Sequence, residues 1–275
     1  MRARPLYYAS IPMRRRSGGR AVWSVIALFS LVAALVGCRR STSGKTDASA
    51  KAALAPFAAR SWLESLEAPG FAPAKVALPL GAKSPRPILV ALHGDDDRPE
   101  WPCGSYHHVT RLRAFVVCPT GIARGDRFTL RTISATKAEL RALLPALKAR
   151  HGSYVAKGSI VLAALGPSVA QALEIALEEP SFFSHLVLID GSLDGLTLGV
   201  AERFATAGGK SVLVVCTQDA EACKARADER LGALERAGVE TRVLLAPSAR
   251  GLDGDVTVLL AKEFPSLVRG EPRWQ

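Results

Sequence analysis

Short apolar runs alternate with longer amphipathic segments along most of this chain. Runs of five to seven residues bounded by turn-forming residues predict buried strands. We expect such strands at residues 74–80, 88–92, 114–118, 159–165, 185–189, 211–216 and 240–245. Helical spacing predicts four helices. One begins at 136, one runs from the end of the strand at 159–165 to about 179, and two lie at 221–237 and about 256–264. This alternation predicts an α/β fold, a mostly parallel central sheet with helices on both faces.

The helix from residue 136 carries the strongest local signals. Thr136 followed three residues later by Glu139 matches a capping box, which marks a helix start. A single helical face then carries four leucines: Leu140, Leu143, Leu144 and Leu147. We therefore expect this helix to begin at the capping box and to pack one face on the sheet.

The residues that directly follow the predicted strands are the candidates for function. Ligands of parallel sheets bind beyond the carboxyl ends of the strands. Those ends carry His93-Gly94, Cys118-Pro119, Gly166-Pro167, Asp190-Gly191 and Asp219. Three aromatic residues fall near this region and are candidates to line an apolar pocket, or are simply core residues: Trp101, Tyr106 and Phe115.

The first 37 residues have the pattern of an export signal. Six arginines up to Arg20, with no acidic residue, precede a 17-residue apolar run at 21–37. This run is long for a secretory signal and marginal for a membrane-spanning helix. Its end, Leu35-Val36-Gly37-Cys38, resembles a bacterial lipobox. The resemblance implies cleavage before Cys38 and a diacylglycerol on its thiol. We therefore expect a cell-envelope protein, anchored in the membrane through Cys38 and facing outside the cytoplasm.

An uncleaved N-terminal anchor helix is the alternative, and it also places the rest of the chain outside the cytoplasm. The stretch after Cys38 is rich in Ser, Thr, Ala and Lys, which is typical of a flexible tether. The expected organisation is a signal peptide at 1–37, a tether at 38–56 and one folded domain at 57–275.

Four cysteines remain besides Cys38, and an even number in an exported protein indicates disulfides. Three pairings are possible. We favour Cys103–Cys118 and Cys216–Cys223, because the members of each pair fall near the same end of the predicted sheet. Buried free thiols are the alternative. The spacings lack a Cys-x-x-Cys pair and no histidine lies near the second pair, so we expect no zinc site.

The distribution of charged residues indicates a solvated, slightly basic surface. The net charge is +11, but residues 38–275 hold 30 basic and 25 acidic residues without a basic cluster. We therefore expect no nucleic-acid partner. Asp95, Asp96 and Asp97 are suited to a hard cation, but consecutive carboxylates are more often solvated, and we expect neither a metal nor a cofactor.

The motifs at the strand ends resemble those of a known fold family. His93-Gly94 after an apolar strand resembles the His-Gly oxyanion motif of α/β-hydrolases. The order of motifs over residues 75–266 is similar to that of small carboxylesterases, dienelactone hydrolases and polyester depolymerases. The resemblance implies a nucleophilic serine at a strand–helix turn with the motif Gly-x-Ser-x-Gly. Here that turn reads Ala164-Leu165-Gly166-Pro167-Ser168.

When the family's catalytic positions are matched to this sequence one by one, several of them carry residues that cannot perform the catalytic role. The family's helix after the serine ends near a proline about fourteen residues on, and Pro180 lies fourteen residues after Gly166. Gly166 then stands at the nucleophile position, and glycine has no side chain to attack with. Pro167 stands where a backbone N–H serves the oxyanion, and proline has none.

The family's acid is retained in this chain, whereas its catalytic histidine is not. Asp219 matches the family's acid, although a helix N-cap is its other interpretation. No histidine follows Asp219, and Arg250 stands where the family has its histidine. Arginine stays protonated and cannot act as a general base near neutral pH.

A second register keeps an enzyme possible. Gly166-Pro-Ser168-Val-Ala170 fits Gly-x-Ser-x-Gly except at its last position, and makes Ser168 the nucleophile. Ser168 then needs an unusual base such as His107 or His108. The other interpretation of these two histidines is a polar loop or short helix between strands. The other interpretation of Ser168 is a small residue that lets the helix pack closely on the strand.

We therefore expect a catalytically inactive relative that binds a small apolar ligand or an envelope protein, with His93, Gly94 and Pro167 at the former oxyanion site. Two alternatives remain: a serine esterase that uses Ser168, and a structural envelope lipoprotein without a pocket.

Overall fold

The computed structural model describes residues 54–274. The predicted signal peptide, Cys38 and nearly all of the tether lie outside these residues, so the predictions about them stay predictions. Within residues 54–274, no helix combines the length and the apolar character needed to cross a membrane.

Eight strands form one mixed sheet, and two more form a separate hairpin. The strands are β1 (Leu63–Leu66), β2 (Ala74–Ala77), β3 (Ile88–Leu92), β4 (Phe115–Cys118), β5 (Ile122–Arg124), β6 (Arg127–Thr129), β7 (Val161–Leu165), β8 (His185–Ile189), β9 (Ser211–Cys216) and β10 (Glu240–Leu245). The order in the sheet is β1-β2-β4-β3-β7-β8-β9-β10. Within this sheet, as described over residues 54–274, the pairs β1–β2 and β2–β4 are antiparallel and the others are parallel. The predicted mostly parallel sheet is confirmed.

Six α-helices cover both faces of the sheet, as predicted. They are α1 (Glu100–Val109), α2 (Ile133–His151), α3 (Ser168–Glu178), α4 (Leu198–Thr206), α5 (Ala220–Arg236) and α6 (Gly254–Leu267). Helices α2 to α5 pack in one apolar cluster, and α1 and α6 pack in another. Strand β3 separates the two clusters, because Val90 and Leu92 belong to the first while Leu89 and Ala91 belong to the second.

The edge of the sheet differs from the prediction. The predicted first strand at 74–80 ends at Ala77, and β1 precedes it. Strand β1 was missed because it has only four residues and is partly exposed, so its sequence lacks an apolar run. Strands β3, β8, β9 and β10 have the predicted bounds.

The predicted capping box is wrong. Helix α2 already begins at Ile133, after Thr132, and Thr136 lies inside it. The Thr136 hydroxyl is buried and points to the Arg131 carbonyl oxygen and to Gln171, at 3.3 Å from each. The four leucines of this helix are buried against the sheet as expected: Leu140, Leu143, Leu144 and Leu147. Helix α4 and the hairpin β5–β6 were not among the predicted elements. Helix α1 contains His107 and His108, for which a loop or a short helix was the alternative to a catalytic role.

Both favoured disulfides are present. Cys103 in α1 is bonded to Cys118 at the end of β4, with 5.9 Å between their Cα atoms. Cys216 at the end of β9 is bonded to Cys223 in α5, with 5.7 Å between the Cα atoms. The alternative of buried free thiols does not apply. The first bridge ties a helix to the sheet, and the second closes the loop between β9 and α5.

The strand order determines where a ligand site lies. Strands β3 and β7 are neighbours in the sheet, but the chain leaves them toward opposite faces. After β3 it continues into α1 on one face, and after β7 it continues into α3 on the other. A crevice forms beyond the carboxyl ends of two such strands. His93-Gly94 follows β3 and Gly166-Pro167 follows β7, so both sequence motifs flank this crevice.

Candidate functional site

A large open cleft lies beyond the carboxyl ends of β3, β7, β8 and β9. Its volume is about 1060 Å³. Six carboxylates line it: Asp95, Asp97, Asp190, Asp194, Asp219 and Glu229. Three guanidinium groups join them: Arg226, Arg230 and Arg250. The cleft lining therefore combines charged groups of both signs with apolar surface from residues such as Leu165 and Pro167.

Gly166 is the apex of the turn between β7 and α3. Its φ of +60° lies in the left-handed region that favours glycine. Its N–H donates to the Ile189 carbonyl at 2.8 Å, and its own carbonyl accepts from the Val169 N–H at 3.1 Å. Apart from Gly166 and its two chain neighbours, no atom of the described residues lies within 4 Å of the position that a Cβ would take. A side chain at this apex would project into open space at the cleft, and this chain carries none.

A second glycine makes the tight turn possible. A Cβ on Gly191 would lie 2.1 Å from the Val169 Cβ and 2.6 Å from the Gly166 carbonyl oxygen. Gly191 must therefore be glycine for the loop after β8 to approach the apex. The sequence shows that Gly191 follows Asp190 at a strand end. Neighbouring residues in the sequence do not reveal its close approach to Gly166 and Val169.

Pro167 follows the apex and lines the cleft. Its φ of −58° suits the entry into α3, where a backbone N–H would lack an intrahelical partner in any case. The position next to the apex therefore offers the cleft an apolar ring and no hydrogen-bond donor.

Ser168 lies below the apex and away from the cleft lining. Its side chain is buried, with an overall exposure of 3%. Its hydroxyl oxygen lies 2.9 Å from the Leu165 carbonyl and 3.3 Å from the Leu92 carbonyl, and it accepts from the Leu165 N–H at 3.0 Å. These contacts join the first turn of α3 to the ends of β7 and β3.

His93 is also turned away from the cleft, while Gly94 lines it. The His93 ring is fully buried, and its two nitrogens lie 2.6 Å from the Gly94 carbonyl and 3.2 Å from the Thr120 carbonyl. The ring therefore ties the loop after β3 to the loop after β4. The Gly94 N–H faces the Asp97 carboxylate at 3.4 Å, a long contact.

Asp219 lies in the loop that the Cys216–Cys223 bridge closes, and it lines the cleft. It occupies the N-cap position of α5 with a left-handed φ of +47°, but its side chain makes no capping hydrogen bond. Asp219 therefore stands at the helix N-cap, as one interpretation predicted, but its carboxylate does not cap the helix. The residue lines the cleft instead.

Asp190 organises this loop, a role that the sequence did not indicate. Its carboxylate accepts from the Thr217 N–H at 2.7 Å and from the Thr217 hydroxyl. The Thr217 hydroxyl in turn accepts from the Gly251 N–H at 3.1 Å. Because these bonds join loops that are 27 and 34 residues apart in sequence, no local pattern predicts them.

Arg250 lies across the loop region and lines the cleft. Its backbone N–H donates to the Asp253 carboxylate at 2.8 Å, and the Val256 N–H donates to the same group at 3.1 Å. These bonds hold the pKa of Asp253 below its ordinary value. Within the described part of the chain the Arg250 guanidinium forms no salt bridge, so it is free for a ligand.

The histidines lie elsewhere. Of the residues in the range 54–274 that line the cleft, none is a histidine. His107 in α1 stacks on Trp62 with 5.3 Å between ring centroids and lies 3.1 Å from the Leu78 carbonyl oxygen. Burial lowers the pKa of His107. His108 neighbours it on the same helix. The described structure does not bring either ring to Ser168.

The remaining candidates have other partners. Asp95 accepts from the Thr129 hydroxyl at 2.6 Å, and Asp97 accepts from the Arg98 N–H at 2.7 Å. In residues 54–274, no group of three or more His, Cys, Asp or Glu side chains is arranged to hold a metal ion. Trp101 is 53% exposed beneath Arg127, and both Tyr106 and Phe115 are core residues. The aromatic residues do not form the apolar pocket suggested by the sequence.

Comparison with known proteins identifies the fold. No protein-family model matches the chain. No curated protein sequence matches it. Similar solved structures include S-formylglutathione hydrolase from Agrobacterium tumefaciens, at 14% identity and a TM-score of 0.53, covering 78% of this chain and 97% of the other. Dienelactone hydrolase from Anabaena variabilis gives 13% identity and a TM-score of 0.52, covering 75% and 95%. The chain has an α/β-hydrolase fold. At such identities the likeness concerns the fold alone.

Within the α/β-hydrolase fold, the cleft occupies the place expected for a ligand, beyond the carboxyl ends of the parallel strands. The Bacillus cereus carboxylesterase is a further similar structure, at 15% identity and a TM-score of 0.51, covering 66% of this chain and 89% of that one. Sequence reasoning placed Asp190 and Gly191 among the strand-end candidates but missed the long-range contacts that they make. It also missed Thr217 and the pair of Asp194 and Arg230, whose charged atoms lie 3.4 Å apart.

Proposed function

We propose that this chain is an exported binding protein built on the α/β-hydrolase fold, and that its cleft holds a ligand without hydrolysing it. The observation that carries the proposal is Gly166. It forms the apex of the turn with a left-handed φ and open space around its missing side chain. A serine-hydrolase mechanism needs a nucleophile at such an exposed apex.

Two further positions support the proposal. Pro167 removes the N–H that would follow the nucleophile, and the loss of one oxyanion donor costs roughly 100- to 1000-fold in rate. Arg250 stands in the cleft where the family resemblance places a histidine. An arginine is a permanent cation that binds anions and does not accept a proton.

The lining indicates the chemistry of the ligand. Asp219 and Glu229 contribute negative charge, and Arg226 and Arg250 contribute positive charge; in the described structure these four side chains take part in no salt bridge within the cleft. Such a lining favours a polar ligand with charges of both signs, for example a segment of an envelope protein, over a small apolar one.

A serine esterase that uses Ser168 is the second candidate, because the similar solved structures include hydrolases and Ser168 lies two residues from the apex. That activity requires the Ser168 hydroxyl to leave its contacts with Leu165 and Leu92 and to find a base. A purely structural envelope lipoprotein is the third candidate. A structural lipoprotein without a pocket requires this region to be filled by side chains. The open cleft beside Gly94 therefore counts against this candidate.

Hydrolysis of p-nitrophenyl butyrate by the full-length protein and by a Ser168→Ala variant separates the first two candidates. We expect both proteins to hydrolyse the ester no faster than buffer does. The variant should also lose about 1–2 kcal/mol of unfolding free energy, because two backbone groups lose the buried hydroxyl as a partner. Turnover by the wild-type protein that disappears in the variant would establish the esterase instead.

The cellular setting is part of the proposal. We propose that lipid on Cys38 anchors the domain in the bacterial envelope, with residues 38–56 as a tether. Mass spectrometry of the membrane fraction is expected to find the mature chain beginning at a lipid-modified Cys38. Recovery of an intact segment 1–37 would instead indicate the uncleaved anchor helix.

A further inference from the structure

A second cavity lies at the opposite end of the sheet from the cleft. It is a groove of about 530 Å³ between α2, the end of α3 and the loops that lead into β7 and β8. Ile88, Ile160 and Phe183 lie at the amino ends of their strands and contribute to it. The cleft lies beyond the carboxyl ends of the same strands, so the two cavities are separate sites.

The floor of this groove is apolar and formed by largely buried side chains. Seven of its side chains are each at most 8% exposed, namely Ile88, Leu140, Leu144, Val155, Ile160, Ile175 and Phe183. A partner helix would need a broad surface of exposed apolar side chains, and here only Phe182, at 38%, and Pro145 are open. An unbranched hydrocarbon chain suits an apolar floor with so little exposed side-chain surface, and the volume lies in the range of small-molecule sites.

The rim of the groove is basic. Lys137 and Arg141 are each paired with a glutamate at the end of α3. Lys148 and Lys157 are exposed at the rim and form no salt bridge among the described residues. A hydrocarbon chain in the groove would therefore find two unpaired cations beside it, which complement an anionic head group.

We propose that this groove binds a long-chain carboxylate, with the alkyl chain on the apolar floor and the carboxylate at Lys148 and Lys157. The tether is a poorer occupant, although the chain enters the fold nearby, where the Ala55 carbonyl accepts from the Tyr154 hydroxyl at 2.8 Å. Residues 38–53 contain four basic residues and one acid, so the basic rim repels them. The site is independent of the function proposed for the cleft.

Photolabelling of the full-length protein tests this proposal directly. The probe is hexadecanoate with a mid-chain diazirine, added to the protein in nanodiscs of phosphatidylcholine, and adducts are mapped by mass spectrometry. We expect adducts concentrated in 137–160 and 175–183. Unlabelled hexadecanoate should compete, and tetradecanoate should compete about tenfold more weakly because two methylene groups are lost.

Matched variants separate the head group from the chain. The double variant Lys148→Gln with Lys157→Gln should weaken labelling about five- to tenfold, whereas Lys262→Gln on α6, across the sheet, should leave it unchanged. Ala156→Phe should block the groove, and thermal unfolding should show each variant to be folded. Adducts scattered over the surface, equal labelling of the double variant, or equal competition by hexadecanol would overturn the proposal. Stronger competition by phosphatidylglycerol would overturn it in favour of a membrane lipid.

Discussion

At the scale of single residues, the environment of each side chain decides its chemistry. Gly166 and Ser168 are two positions apart, yet the first faces open space and the second is buried among backbone carbonyls. Spacing to Pro180 placed Gly166 at the apex, and the left-handed φ there is consistent with that placement. The direction of the Ser168 hydroxyl could not be predicted, because it depends on a contact with Leu92, which is 76 residues away.

Glu139 provides a prediction about pH at this scale. Its carboxyl is buried in α2, with Arg131 3.9 Å away, and burial raises its pKa above the ordinary value. The folded state therefore holds this proton more tightly than the unfolded chain does, and the free energy of unfolding falls as pH rises from the unfolded pKa through the folded pKa.

Urea unfolding of Glu139→Gln between pH 4 and pH 8 checks this prediction. The variant should gain stability relative to the wild type as pH rises, by about 1.4 kcal/mol for each unit by which the pKa is raised. Glu174→Gln, an exposed change on α3, is the matched control and should show no such trend. Parallel pH profiles for Glu139→Gln and the wild type would contradict the assignment.

At the scale of elements, the sequence pattern predicted most strands of the sheet and missed the shortest, partly exposed ones. Strands β3, β8, β9 and β10 are continuous apolar or half-buried runs, and their bounds were predictable. Strand β1 and the hairpin β5–β6 are three or four residues long and partly exposed, so pairing with neighbours rather than composition defines them. The same limit applied to the site, since Asp190 reaches Thr217 only when two strands are adjacent.

The Cys216–Cys223 bridge allows a prediction about the loop that carries Asp219. Replacing both cysteines by alanine should cost about 2 kcal/mol of unfolding free energy, because the closed loop is short. Replacing Cys103 and Cys118 should cost about 3 kcal/mol, because that loop is longer. Hydrogen exchange at Thr217 and Gln218 should accelerate in the first variant alone. Equal acceleration in both would mean that the bridge does not hold this loop.

At the scale of the whole molecule, the parallel sheet separates two cavities of different character. The cleft at the carboxyl edge is large and carries charges of both signs, while the groove at the amino edge is smaller, apolar and rimmed by cations. Both follow from the strand order, which opens a crevice between the loops of β3 and β7 at one end and packs α2 against α3 at the other. The fold class was predictable from alternation alone, whereas the cavities depend on how helices meet across the sheet.

The central claim is that no serine in or beside the cleft acts as a nucleophile. Covalent labelling with a fluorophosphonate tests this claim most directly. Ser168 lies behind the apex, and Ser192 lines the cleft with its hydroxyl bonded to Asp194 at 2.7 Å. The account predicts that the full-length protein keeps its unmodified mass after exposure to the probe. A stoichiometric adduct mapped to Ser168 or Ser192 would contradict it and establish a serine hydrolase.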